Sequence, residues 1–270
     1  MRAIGRVEPV ADNRMPVRRC KSNACHRAPI LHHTGIASRN VIHEPCNIVP
    51  YTLSVIQSEK QAGIMHIDPF HNAPIDNYKL LTNLVVPRPI AWVTSQSDQG
   101  IVNLAPFSFF NAVGSNPLYL LISVGHREDG GMKDTAKNIA GRGEFVVNMV
   151  TEDLLAAMNI SAADFPPDQS ELTAAGLHTS PSMRIAVPRV RESQASMECK
   201  LHSEKILGPY TLFIGEVVMF HIADHLIGER MHINGFAPIG RLGSPSFYSR
   251  TTDRFNLSRL NYDKSRENAA

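Results

Sequence analysis

A succession of β-rich runs broken by turn residues, with no long helix between them, limits this chain more than any other feature. "RPIAWVTS" (Arg88–Ser95) is the first, with Pro89 near its start, where a missing N–H does least harm. "QSDQG" follows as a turn in which Gly100 can take positive φ, and "IVNLA" resumes the extended chain, so the two runs form a hairpin. "LYLLISVG" (Leu118–Gly125) and "EFVVNMV" (Glu144–Val150) are apolar enough for buried strands. "SMECKLHSEKIL" and "YTLFIGEVVMFHIAD" form a later pair, joined by a turn at Gly208-Pro209. Regular alternation of strands with long helices is missing, which argues against a doubly wound parallel sheet. No glycine-rich dinucleotide fingerprint or phosphate loop follows a strand. Many strands and few short helices predict a mainly β, largely antiparallel barrel.

Two helices are expected beside the strands. "KDTAKNIAGRG" places Asp134 or Thr135 at the cap, turns Ile139 inward and ends at Gly141 or Gly143. "TEDLLAAMNIS" has Thr151 as N-cap, with Glu152 and Asp153 suited to the helix dipole.

Size and charge narrow the function. The chain has 270 residues, 43% of them hydrophobic, which supports a sizeable core. A net charge of +2 gives no basic stripe for nucleic acid. No apolar run approaches the roughly 20 residues that span a bilayer. Residues 1–64 differ from the rest: they hold nine Lys/Arg against four Asp/Glu and three of the four cysteines. They show little periodicity and no signal-peptide core, so they read as a disordered or transit-like extension, or as the result of a start placed upstream of Met65. Cys20, Cys25, His26, His32, His33 and Cys46 have zinc-binding chemistry but lack paired ligand spacing, so no metal site is assigned. The body, residues 65–270, has Cys199 alone, which predicts a reduced, cytoplasmic protein.

One stretch fits neither a plain strand nor a plain loop. "NLAPFSFFNAVGSNP" (Asn103–Pro117) sets phenylalanines among polar residues, prolines and a glycine. Apolar walls with a few placed polar groups suit a planar heteroaromatic ligand, although a barrel corner packed by phenylalanines would look the same. "GHREDGGMKDTAKNI" then places His126, Arg127 and Lys133 before a helix start, an anion site suited to phosphate. A flat platform followed by a phosphate-type helix start fits a flavin mononucleotide better than either piece alone. Trp92 reads as core, and His202, His221, His225 and His232 have no ligand spacing. "AADFPPDQSEL" (Ala162–Leu172) reads as a loop, either over this site or a plain surface connection.

Taken together, "RPIAWVTS", "NLAPFSFFNAVGSNP", "KDTAKNIAGRGEFVVNMV", "MNISAADFPP" and "PIGRLG" resemble, in order, the flavin reductase-like family, the FMN-binding split-barrel or flavoprotein oxygenase group. The resemblance runs from about Met65 to Phe255. It implies a six-stranded antiparallel split β-barrel with a few short helices, and a homodimer with flavin near the interface. It implies that Asn103, Leu104, Ala105, Pro106, Phe107, Ser108, Phe109 and Phe110 face the flavin ring, with Arg88 and Thr94 approaching from the first strand. Arg127, Lys133 and Thr135 would surround the phosphate, with Asp134 and Asn138 fixing the loop. The expected cofactor is FMN, with FAD as the alternative, and NAD(P)H as cosubstrate. The expected activity is flavin reduction, by hydride transfer that needs no side chain as acid or base. The other readings are an FMN-bound electron-transfer protein, or an oxygenase acting on a small substrate, and a non-catalytic flavin-binding module. Partners expected on this basis are free flavin or a small-molecule substrate and a flavin-dependent oxygenase, with no nucleic acid and no membrane.

Overall fold

The computed structural model describes residues 63–259. The chain divides into two units, Met1–Ile64 and Met65–Ala270. The zinc-type constellation and nearly all of the expected extension lie outside the described residues.

In the second unit a 3₁₀ turn (Pro69–His71) precedes helix α1 (Pro74–Leu84), whose first position is the proline that a helix start tolerates. Strands β1 (Ala91–Gln96), β2 (Val102–Phe107), β3 (Phe110–Ser115) and β4 (Leu118–Gly125) follow, then α2 (Asp134–Arg142) and β5 (Glu144–Asn148). Next come α3 (Leu155–Ile160), α4 (Glu171–Ala174) and a short pair, β6 (Thr179–Ser180) and β7 (Arg189–Val190). Two long strands, β8 (Ala195–Leu207) and β9 (Tyr210–Ile222), and a second short pair, β10 (Gly240–Arg241) and β11 (Tyr248–Ser249), complete the unit.

The main sheet has the order β2-β1-β5-β8-β9-β4-β3, with every pairing antiparallel. The fold is therefore mainly β with short helices, but with seven strands in the main sheet where six were expected. The added strand is β3, inside the stretch that looked like an irregular corner. Only Phe110 of β3 is half-buried and the rest is exposed, so it shows no apolar alternation. It pairs with β4 as a sheet edge, and a register shift between Ala112 and Gly114 absorbs its irregularity. The predicted hairpin forms with Ala91 opposite Phe107 and Gln96 opposite Val102, and Gly100 in the turn has φ +85°.

Both faces of β1 are buried, which explains its continuous apolar run. Ala91 and Val93 join Ile122, Val124, Phe145 and Phe213 in one core, with Ile139 of α2 packed among them. On the other face Trp92 packs with Leu104, Leu154, Met158 and Leu172. Its indole Nε1–H donates to Ser161 Oγ at 2.8 Å, so Trp92 is a core residue.

Helix α2 starts one residue earlier than expected. Lys133 occupies the cap position, and Asp134 lies in the first turn. Asp134 is drawn away from capping by cations: Arg127 Nη2 lies 2.6 Å and Lys137 Nζ 3.5 Å from its carboxylate. Gly143 ends the helix in the left-handed region at φ 72°. Thr151 precedes a short 3₁₀ turn that leads into α3, but its hydroxyl makes no cap bond. No helix among the described residues is long and apolar enough to cross a membrane.

Candidate functional site

The platform comes from the end of β2, an edge strand. One row of its backbone groups therefore has no strand partner. Part of that row is taken up by a buried carboxylate: Leu104 N–H donates to Glu171 Oε2 at 2.8 Å. The Asn103 amide satisfies both of its neighbours when Nδ2 donates to Glu171 Oε1 at 3.1 Å and Oδ1 accepts from Thr135 Oγ1 at 2.9 Å. Glu171 thus ties β2 to the start of α2 through Asn103. Burial pushes the Glu171 carboxyl up from its usual range, against the pull of the Leu104 N–H, and Asp134 adds to the rise.

The anionic end lies at α2. No side chain caps its first turn, where Thr135 and Ala136 are buried, so the first-turn N–H groups have no side-chain acceptor among the described residues. Lys133 and Arg127 border the same cavity as Asn103, Ala105, Pro106, Phe107 and Thr135. Lys133 Nζ is 3.8 Å from Asp164 Oδ1, a pairing of two well-exposed side chains. Ala162–Phe165 form one wall of this cavity, so the loop noted in the sequence does border the site.

A second cavity continues from the first across Pro106, Phe107 and Ala162, which line both. Its other walls include Ser108, Tyr78, Met158, Arg241 and Tyr248. Arg241 stands opposite Tyr248 across the β10–β11 pair, and its guanidinium carbon lies 4.8 Å from the ring centroid. The glycines of "PIGRLG" permit this packing. A Cβ on Gly240 would lie 2.9 Å from Pro87 Cβ, and one on Gly243 would lie 3.0 Å from Asn83 Cα.

The expected site residues divide into groups. Asn103, Ala105, Pro106, Phe107, Ser108, Arg127, Lys133, Asp134 and Thr135 line the joined cavities. Thr135 is only 2% exposed and its hydroxyl is engaged by Asn103, which leaves its part of the anion site to the backbone. Arg88 is buried and acts as a clamp: Nη1 donates to the carbonyls of Thr82 and Val85 at 2.6 Å, Nη2 to Leu242 at 2.9 Å, and Nε to Ser108 Oγ at 3.4 Å. Its reach to the platform runs through Ser108. Thr94 and Leu104 are fully buried. The Thr94 hydroxyl accepts from Asn148 Nδ2 at 3.3 Å. Asn138 donates to Ser95 Oγ at 3.1 Å and borders a neighbouring polar cleft with Asn103 and Asp134. Phe109 and Phe110 face a different, apolar hollow with Leu81, Val85 and Pro87.

Glu171, Tyr78, Arg241 and Tyr248 were not among the expected site residues. Arg241 stood inside a quoted motif, but only folding brings it to Ser108, more than a hundred residues away in sequence.

A family model described as "Flavin reductase like domain" matches residues 83–240. The solved structure of nitrilotriacetate monooxygenase component B from Bacillus cereus is 40% identical, with a TM-score of 0.70, covering 73% of this chain and 100% of that one. That of 2-nitrobenzoate 2-nitroreductase from Pseudomonas fluorescens is 38% identical, with a TM-score of 0.67, covering 73% of this chain and 98% of that one. A Shewanella frigidimarina structure with a split barrel domain is 22% identical, with a TM-score of 0.61, covering 74% of this chain and 100% of that one, and it carries the likeness of fold alone.

Proposed function

Because the chain belongs to the flavin reductase-like domain family, we propose that it is an FMN-binding oxidoreductase that takes electrons from NAD(P)H. One observation carries the reading. An apolar platform on an edge strand and a cationic, uncapped helix start border two adjoining cavities that share Pro106, Phe107 and Ala162. A flavin mononucleotide needs a flat apolar surface at one end and an anion site at the other.

In this reading Ala105–Ser108 hold the ring. Lys133, Arg127 and the first-turn N–H groups of α2 hold the phosphate, and FAD would share the same anion site. Bound flavin would supply a two-electron acceptor that takes hydride from nicotinamide and passes electrons on. The protein's own residues do the positioning. Arg88 fixes the chain beside Ser108, and Glu171 fixes β2 against α2. Asp134 is neutralised by Arg127 and Lys137, so it opposes a phosphate only weakly. No side chain is required as acid or base. Quenching of FMN fluorescence on titration with the protein tests the reading; absence of binding by both FMN and FAD overturns it.

A second reading keeps the flavin bound and delivers its electrons to a small organic substrate or an oxygenase partner. The Arg241–Tyr248 wall favours it, since it gives the groove a polar end beyond the ring platform. One similar protein is named as a nitroreductase and another as a monooxygenase component. Nicotinamide oxidation that rises with added free flavin supports the reductase. Turnover of bound flavin without exchange supports the second reading.

A further inference from the structure

The second cavity carries an unbalanced positive charge. Among the described residues, the Arg241 guanidinium has no hydrogen-bonded acceptor and no carboxylate partner, and it is half-buried. Its one described contact of this kind is the Tyr248 ring at 4.8 Å. No Asp or Glu lines the cavity. A half-buried guanidinium without an acceptor gives up part of its hydration, and a π face compensates only part of that loss. Arg88 lies near enough for Arg241 to help lower its pKa, after the larger effect of burial. Arg88 spends its donors on carbonyls and Ser108, so it adds positive charge and offers little binding capacity.

The walls decide the shape of the missing partner. Beyond the residues assigned to the flavin ring, Met158 and Ile90 give apolar surface, Tyr78 adds a ring, and Ser246 adds a hydroxyl. An inorganic anion would leave the apolar surface unused. A planar aromatic acid would use both: its carboxylate matches the guanidinium fork, and its ring lies along the apolar wall. We propose that Arg241, backed by Tyr248, forms the carboxylate-binding end of a second subsite beside the flavin platform, one that takes a small aromatic carboxylic acid. This rests on the flavin reading above, because Pro106, Phe107 and Ser108 are assigned there to the ring.

Benzoate is the probe, with benzamide as its neutral counterpart, titrated calorimetrically into the FMN-loaded protein. Wild-type protein should bind benzoate at least about tenfold more tightly than benzamide, the loss expected for one charge-assisted contact. Arg241→Met should bind the two alike, while its FMN affinity stays within about twofold of wild type. If Arg241→Met does not fold, Arg241→Gln, which keeps a polar head in place, carries the same comparison. Equal binding of benzoate and benzamide by wild type overturns the subsite, and so does a preference that survives loss of the guanidinium. A variant that loses FMN along with benzoate also overturns it, and places Arg241 in the flavin site instead. Failure of the wild-type protein to take up FMN at all overturns the flavin reading and the subsite with it. Flavin uptake without benzoate preference overturns the subsite alone.

Discussion

Lys133 holds the cap position of α2, and its ion-pair partner among the described residues is a distant, exposed carboxylate, Asp164. An exposed ion pair of this kind is worth little, so a phosphate can displace it at small cost. Lys133→Ala should therefore weaken FMN by on the order of ten- to hundredfold, matching roughly 1.5–3 kcal/mol for a charge-assisted bond. Riboflavin, which lacks the phosphate, should change little. Fluorescence titration of both ligands checks this, and an equal loss of both would place Lys133 in the fold or the ring site. Glu171 makes a separate prediction. Its carboxyl holds a proton more tightly in the folded protein than in the unfolded chain. The stability it contributes is full below the ordinary carboxyl range and is lost as pH rises through the raised value. Glu171→Gln keeps an acceptor for Leu104 and turns the Asn103 amide around, so that Nδ2 donates to Thr135. The variant's stability relative to wild type should then grow as pH rises above the ordinary carboxyl range, read from urea midpoints. A pH-independent difference would mean that the carboxyl is not raised.

Among the elements, β9 passes the β5 core with a glycine at the contact. A Cβ on Gly215 would lie 2.4 Å from Phe145 Cζ and 3.2 Å from Cys199 Cβ, and both neighbours are fully buried. Gly215→Ala should cost about 1–3 kcal/mol through overpacking, seen as a lower urea midpoint at unchanged slope. An unchanged midpoint would show that the Phe145 ring moves freely. The strands that bury one or both faces, such as β1, β4 and β9, were legible because burial writes itself into apolar runs. Strand β3 was not legible, because an exposed edge imposes no such pattern. The start of α2 was legible to within one residue; the ion pairs of Asp134 decided the difference. Of the residues singled out in the sequence, Asn103, Ala105 to Ser108 and Lys133 to Thr135, each group close in sequence, line the two cavities. Glu171, Arg241 and Tyr248 were not singled out, because each reaches the groove through tertiary packing that no local spacing encodes.

At the scale of the whole molecule, α1 leaves Ile75, Leu81 and Leu84 exposed, and Leu84 is 79% accessible. Leu81 and Val85 share an apolar hollow with Phe109 and Phe110. Contiguous apolar surface of this kind marks an interaction face, and a second copy of the chain is the proposed occupant. Sedimentation should show a dimer that Leu84→Glu converts to monomer; a monomeric wild-type protein would contradict this. The central claim is that the groove between β2 and α2 places FMN to receive electrons from a nicotinamide. Steady-state oxidation of NADH and NADPH, followed with increasing free FMN, tests it most directly. Turnover with at least one nicotinamide should depend on flavin and saturate as the groove fills. Flavin binding with no oxidation of either nicotinamide would contradict it.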